Sequence, residues 1–271
     1  MLISQQEPKV LGQRGIISLE GETTLAFLQD LLTCDVEKLG DGQAAYGGLL
    51  SPQGKVLFEI FVANVSGKIW LDCPLSQREG LVQKLKLYRL RAKITIAEHP
   101  ELEIAVGNQG WADPRNPAMG NRQVVAKASL PESADYHAAR ISLGLADGGL
   151  DLGEGQFFPH EANWDQMGGV SFTKGCYVGQ EVVSRMQHRA TARSRILPVM
   201  FDGAAPAKAA ITSGETSIGE TLSTSDKMAL ALLRLDRLAE AKAPLLANGL
   251  RLHVKKPDWI KYEVVIPEAA R

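Results

Sequence analysis

The order of apolar runs is the strongest constraint on what this chain can fold into. Up to residue 193, short strand-length runs come in pairs and are separated by single helix-length stretches. Residues 10–11 and 16–19 flank a turn at 12–15 as strand, turn, strand. Residues 22–32 follow with Leu25, Leu28, Leu31 and Leu32 on one helical face. Strands are predicted at 46–50, 55–65 and 68–73, with Ser51-Pro52-Gln53-Gly54 and Ser66-Gly67 as the turns between them. Ser76 and Glu79 have capping-box spacing ahead of a helix that carries Leu81, Val82, Leu85 and Tyr88 on one face. Strands at 94–96, 102–106 and 124–125 and a helix at 134–143 complete this part; 144–155 reads as a glycine-rich loop. After Arg193 the texture changes to short strands at 196–201, 219–222, 228–233 and 251–254, with one helical turn near 236–241 and a low-complexity surface loop at 203–210. Paired strands with single helices predict an α+β fold rather than a doubly wound parallel sheet. The last 80 or so residues predict a small all-β barrel or sandwich.

Lys174-Gly175-Cys176-Tyr177-Val178-Gly179-Gln180-Glu181 concentrates the candidate chemistry. Apolar residues at 182, 183 and 186 predict a short helix just beyond it. A thiol at a helix N-terminal end, with Lys174 adding positive charge, has a setting that favours the thiolate. A small cysteine packed in a core remains the alternative for the same residues. Cys34 and Cys73, far from Cys176 and from each other, read as structural. Three scattered cysteines point to a reducing compartment and away from a disulfide framework or a four-thiolate metal site.

The formal net charge of −1 gives no general polyanion-binding surface, so no direct nucleic-acid partner is expected. No stretch is long and apolar enough to span a bilayer, and the first eight residues lack the pattern of a signal peptide. The expectation is a cytoplasmic protein without a membrane partner.

Three further groups stand out. Glu59 interrupts the apolar strand at 56–62; alternation puts Phe58, Ile60 and Val62 on one face and Leu57, Glu59 and Phe61 on the other. An unpaired buried carboxylate is costly, which places Glu59 at a sheet edge or against a cavity. His160, Glu161 and Asp165 share one loop, where spacing disfavours a metal site and either acid could accept from a ligand amino group. Tyr88-Arg89-Leu90-Arg91-Ala92-Lys93 is either a solvated helix end or a clamp for a carboxylate tail. Rossmann, P-loop and hydrolase-elbow glycine patterns are missing.

The eight residues from Lys174 to Glu181 resemble the signature of the YgfZ family, folate-binding relatives of the glycine-cleavage T-protein, an aminomethyltransferase. Supporting stretches run along nearly the whole chain: residues 21–36, Leu50 to Lys55, Tyr88 to Lys93, Trp111 to Arg115 with Gly120-Asn121-Arg122, Pro159 to Asp165, and Met228 to Arg237. The resemblance implies two ferredoxin-like α+β lobes and a C-terminal Greek-key β-barrel around a central channel. The implied units are 1–45 with 108–190, then 46–107, then 191–271. It implies a tetrahydrofolate-binding factor for assembly or repair of four-iron clusters, acting on iron–sulfur assembly proteins or client enzymes, tRNA-thiolating enzymes among them. Cys176 is then the reactive residue, with Lys174 beside it. Glu59 and Glu161 are candidate pterin contacts, Arg89 or Arg91 lies near the glutamate tail, and Tyr88 and Tyr177 are further folate-binding candidates. A folate-dependent aminomethyltransferase is the alternative. T-proteins carry an aspartate where Glu59 stands and lack the cysteine motif, and both departures favour cluster maintenance.

Overall fold

In a computed structural model, residues 3–189 and 192–270 are described; the expected boundary at 190/191 lies outside them. The chain opens with β1 (Lys9–Leu11), β2 (Arg14–Glu20) and α1 (Thr24–Gln29), then β3 (Gln43–Leu50), β4 (Val56–Val65) and β5 (Lys68–Pro74). Helix α2 (Arg78–Arg89) is followed by β6 (Thr95–Glu98), β7 (Leu102–Gly107), β8 (Trp111–Ala112), β9 (Asn121–Ala126), α3 (Tyr136–Ser142) and α4 (Gln180–Arg189).

These strands build two antiparallel sheets, ordered β3-β4-β5-β2-β6 and β1-β7-β9-β8. Only two residues separate β1 from β2, yet the two strands enter different sheets. The sheets therefore divide at other points than the expected lobes: β2 joins residues 43–98, and β7 joins β1 and β9. Ser66 and Gly67 both have positive φ (54° and 77°), the turn geometry that matches the strand twist between β4 and β5.

Alternation along β4 places its two faces in different cores. Phe58, Ile60 and Val62 pack with Ile17, Leu19 and the Leu81, Val82 and Leu85 stripe of α2. Phe61 on the opposite face joins Ile16 and Tyr46, Leu11, Ile104 and Val106 of the four-stranded sheet, and Ile196 and Leu230 from the C-terminal part. This second core is where the units of the molecule meet.

Two local expectations fail. No capping box forms: Ser76 lies in a tight helical turn at Leu75–Gln77, and α2 starts at Arg78 without a side-chain cap. The helix expected over 22–32 stops at Gln29. Residues beyond it are drawn into tertiary pairing, with Leu32 bridging Leu49, and the Thr33 N–H donating to the Gly48 carbonyl at 3.0 Å. Tertiary bonds override periodicity here.

The C-terminal part comprises β10 (Ser194–Phe201), β11 (Ala210–Ser213), β12 (Thr216–Ser225), β13 (Met228–Arg234), α5 (Leu235–Ala239), β14 (Leu245–Ala247) and β15 (Leu250–Val254). They close into a six-stranded barrel, β10-β13-β12-β11-β14-β15, with β15 returning to β10. Leu197, Val199, Ile211, Ile218, Leu233, Leu245 and Leu252 fill it. Strands β11 and β14 fall outside the expected ones; each is too short for its own alternation to show and is held by pairing on both sides, β11 between β12 and β14, and β14 between β11 and β15.

Candidate functional site

The cysteine loop is held on two sides. On one side, the Lys174 ammonium donates to the carbonyls of Gln29, Leu32 and Cys34 at 2.5, 2.7 and 2.9 Å. These acceptors include carbonyls left open where α1 ends. The Ser171 N–H donates to the Thr33 carbonyl at 2.8 Å, and the Thr33 hydroxyl donates to the Gly169 carbonyl at 2.5 Å. On the other side, Gly179 (φ +81°) lies against the β3–β4 turn, where an added Cβ would come 2.6 Å from the Ser51 carbonyl oxygen. Gly54 of that turn also has positive φ (+78°), and a Cβ there would meet Val182 at 3.0 Å. The motif glycine serves this close backbone contact.

Between the two anchors Cys176 is exposed, while Cys34 and Cys73 are buried. Burial pushes the Cys34 thiol up to about 12, with Lys174 acting in the opposite direction, and burial likewise pushes Cys73 to about 12. The structural assignment of these two cysteines holds, and so does the reachability of Cys176. The electrostatic setting differs from expectation. Helix α4 begins at Gln180, four residues past Cys176, and the Lys174 ammonium is committed to three carbonyls. Burial lowers the Lys174 pKa. Tyr177 is buried, its hydroxyl has no hydrogen-bond partner among the described residues, and burial pushes its phenol up to about 12.

Glu59 is neither at an edge nor beside open space. It is fully buried at the centre of a charge network between the two sheets. The Tyr46 hydroxyl donates to one carboxylate oxygen at 2.9 Å; Arg14 and the Gly148 N–H donate to the other at 3.0 and 3.2 Å. Arg14 also donates to Asp72 at 2.5 Å, and Asp72 accepts from Arg122 as well. Arg122 continues to Asp113 at 3.2 Å, and Arg115 pairs with Asp113 at 2.9 Å and with the Tyr136 hydroxyl at 2.7 Å. Phe61 is the hub: the Arg122, Arg115 and Arg14 guanidiniums lie 4.1, 4.6 and 5.3 Å from its ring centroid. Burial alone would raise the Asp113 carboxyl, but Arg115 and Arg122 outweigh it and hold it below its usual value. Arg14 does the same for Asp147, against the same burial cost.

The other expected ligand contacts do not converge on Glu59. Tyr88, Arg89 and Arg91 lie at the end of α2, which packs on the opposite face of the five-stranded sheet. Glu161 accepts from the Phe158 N–H at 2.8 Å and so caps its own loop. Asp165 is bound by Arg195 at 2.5 and 3.1 Å, tying that loop to the barrel. His160 is buried with Nε2 3.1 Å from Gln187, and burial lowers its pKa. Among the described residues, no cluster of three or more His, Cys, Asp or Glu side chains could hold a metal. The sequence reading missed Tyr46, Arg14 and the Gly148 N–H as partners of Glu59, and Asp72, Asp147 and Arg122 as the members of the network beyond Arg14. One signal was present: Asp72, like Glu59, interrupts an apolar strand, between Leu71 and Cys73.

Known proteins resolve the class. Residues 193–262 match the CAF17 C-terminal beta-barrel domain. The fold is similar to that of the glycine cleavage system aminomethyltransferase T from Bartonella henselae, with a TM-score of 0.75 over 96% of this chain and 88% of that one. At 13% identity this likeness concerns the fold alone. The chain is thus a protein of the aminomethyltransferase fold with a CAF17-type barrel.

Among curated relatives, the human iron-sulfur cluster assembly factor IBA57, mitochondrial, is 30% identical over 302 residues, which cover 92% of this chain and 84% of that protein. The mouse protein is 28% identical, covering 95% and 84%. A homolog from Mycosarcoma maydis is 31% identical, covering 69% of this chain and 55% of the relative. The chain belongs to the IBA57 family, the YgfZ-type relatives of the aminomethyltransferase. One expectation is overturned: these relatives are mitochondrial by name, so the assignment to the cytoplasm does not stand.

Proposed function

We propose that the chain is an iron–sulfur cluster assembly factor that contributes the Cys176 thiolate as one ligand to a cluster shared with a partner protein. The carrying observation is the presentation of Cys176: exposed, on a loop pinned at both ends, in a chain whose other two thiols are buried. A thiolate ligates iron, but a cluster requires further ligands that a single cysteine cannot supply. The described residues hold no cluster of metal ligands to provide them. The remaining ligands therefore belong to an assembly protein or to the client enzyme, with four-iron enzymes, including tRNA-thiolating ones, as the expected clients.

The test is complementation. Cells lacking this chain are supplied with the wild type or with Cys176→Ala, and the activity of a four-iron enzyme is measured. Cys176→Ala is expected to accumulate as a folded protein and to fail in rescue. Full rescue by that variant would exclude the thiol from the function.

Tetrahydrofolate remains in the proposal as a ligand supported by the fold likeness, without a residue role. The six residues expected to hold it do not form one site: Glu59 is spent on three internal partners, and Arg89 and Arg91 stand across a sheet from it. The same likeness supports a second function, tetrahydrofolate-dependent aminomethyl transfer. Methylene-tetrahydrofolate formed from an aminomethyl donor in the presence of the purified chain would put that second function first.

A further inference from the structure

The two most exposed large apolar side chains among the described residues occur together. Leu87 and Leu90 are 66% and 86% exposed, at the C-terminal end of α2 and in the residue that ends it. They lie three positions apart in the chain, Leu87 in the last turn of α2 and Leu90 just past its end. Leu90 has φ 44° and ψ −106°, a conformation that a leucine adopts at a cost. Holding a leucine in water on strained backbone contributes nothing to the fold and points to a partner outside it.

The charges around these leucines are one-sided. Lys84, Lys86, Arg89, Arg91 and Lys93 fall within ten residues, and no acidic residue occurs between Glu79 and Glu98. Among the described residues none of the five makes an ion pair. The cleft beside Leu90 adds Glu22 and Asp30, and the one beside Leu87 adds Glu154, so the cations of this segment outnumber the acids next to it. In a chain with a net charge of −1, this is a concentrated positive surface with apolar tips.

Against the expectation of no membrane partner, which rested on the lack of a spanning segment, we propose that the end of α2 and its following loop dock on an anionic lipid bilayer. Lysine and arginine are drawn to the negative surface potential, and leucines at the tip enter the boundary between headgroups and acyl chains. The surface lies on the far side of the five-stranded sheet from the charge network, so docking there does not require the buried core to open. A bilayer accounts for both features together, with anionic headgroups facing the cations and acyl chains facing Leu87 and Leu90.

The test is co-sedimentation of the full chain with phosphatidylcholine vesicles, with and without phosphatidylglycerol. The wild type is expected to bind only the anionic vesicles and to be released by raised salt. Arg89→Gln with Arg91→Gln, and separately Leu87→Ser with Leu90→Ser, are each expected to weaken binding about tenfold or more. Leu90→Gly separates structure from docking: it relieves the positive φ, so thermal stability should rise while vesicle binding falls. No binding of the wild type to anionic vesicles overturns the proposal, as does undiminished binding by both double variants. Capture on immobilised polyglutamate without vesicle binding would assign the surface to an acidic protein segment and overturn it equally.

Discussion

Cys176 differs from the other two cysteines in accessibility, and that difference is measurable on the native protein. Cys34 and Cys73 are buried, with thiols pushed up to about 12, so near neutral pH they are protonated and out of reach. Alkylation with iodoacetamide should therefore label one thiol per native chain and three after unfolding. Mass spectrometry of the native protein should place the label on Cys176 and find none on Cys176→Ser. Label on Cys34 in folded protein would contradict the burial described. Lys174 has a quieter part than its sequence position suggests. By donating to three carbonyls at and past the end of α1 it fixes the base of the loop rather than the chemistry of its tip.

At the scale of elements, the loop of residues 171–179 works as a bridge between α1 and the β3–β4 turn. Gly179 is the tightest point of that bridge. Gly179→Ala would need a methyl group 2.6 Å from the Ser51 carbonyl oxygen, on backbone with φ +81°. The expected cost is about 2 kcal/mol of stability by urea denaturation, in the range for a side chain forced into such a conformation. With the bridge loosened, limited proteolysis should cut the loop faster. Unchanged stability and unchanged cleavage would mean that the contact with the turn is dispensable. The barrel is pinned in a comparable way: Arg195 of β10 grips Asp165 and the His160 carbonyl and stacks 4.5 Å from the Tyr262 ring centroid.

At the scale of the whole molecule, the buried charge network and His160 set the pH response. Asp113 and Asp147 have folded pKa values below their ordinary ones, despite burial, because of their arginine partners. Such groups bind fewer protons folded than unfolded, so their contribution is present above the unfolded value of about 3.9 and is lost as pH falls through the lower folded value. His160 has the same sign: its folded pKa is lowered by burial, so its contribution begins to fall below about 6.5. Thermal unfolding should therefore show a small loss of stability below about pH 6.5 and a larger one below about pH 4. His160→Gln should remove the first loss and leave the second. A midpoint that stays level down to pH 3 would mean that the network ionises no differently in the folded chain.

Much of this was legible in the sequence. Periodicity gave the two faces of β4 from Phe58 onward, though not Leu57, which a bulge turns to the Phe58 side; it also gave the β4–β5 hairpin, the stripe of α2 and the all-β texture of the last part, because each is encoded by neighbours in the chain. The eight residues around Cys176 marked the candidate site, and the two buried cysteines were recognisable from their apolar surroundings. What the tertiary structure alone decided has a common cause. The assignment of β1 and β2 to different sheets, the early end of α1, the pairing of β11 with β14, and the fate of Glu59 all depend on groups distant along the chain. Glu59 is satisfied by Arg14, 45 positions away, and by Gly148, 89 positions away. A strand's own residues show that a carboxylate points inward; only the packing of two sheets determines whether it meets a ligand or an arginine.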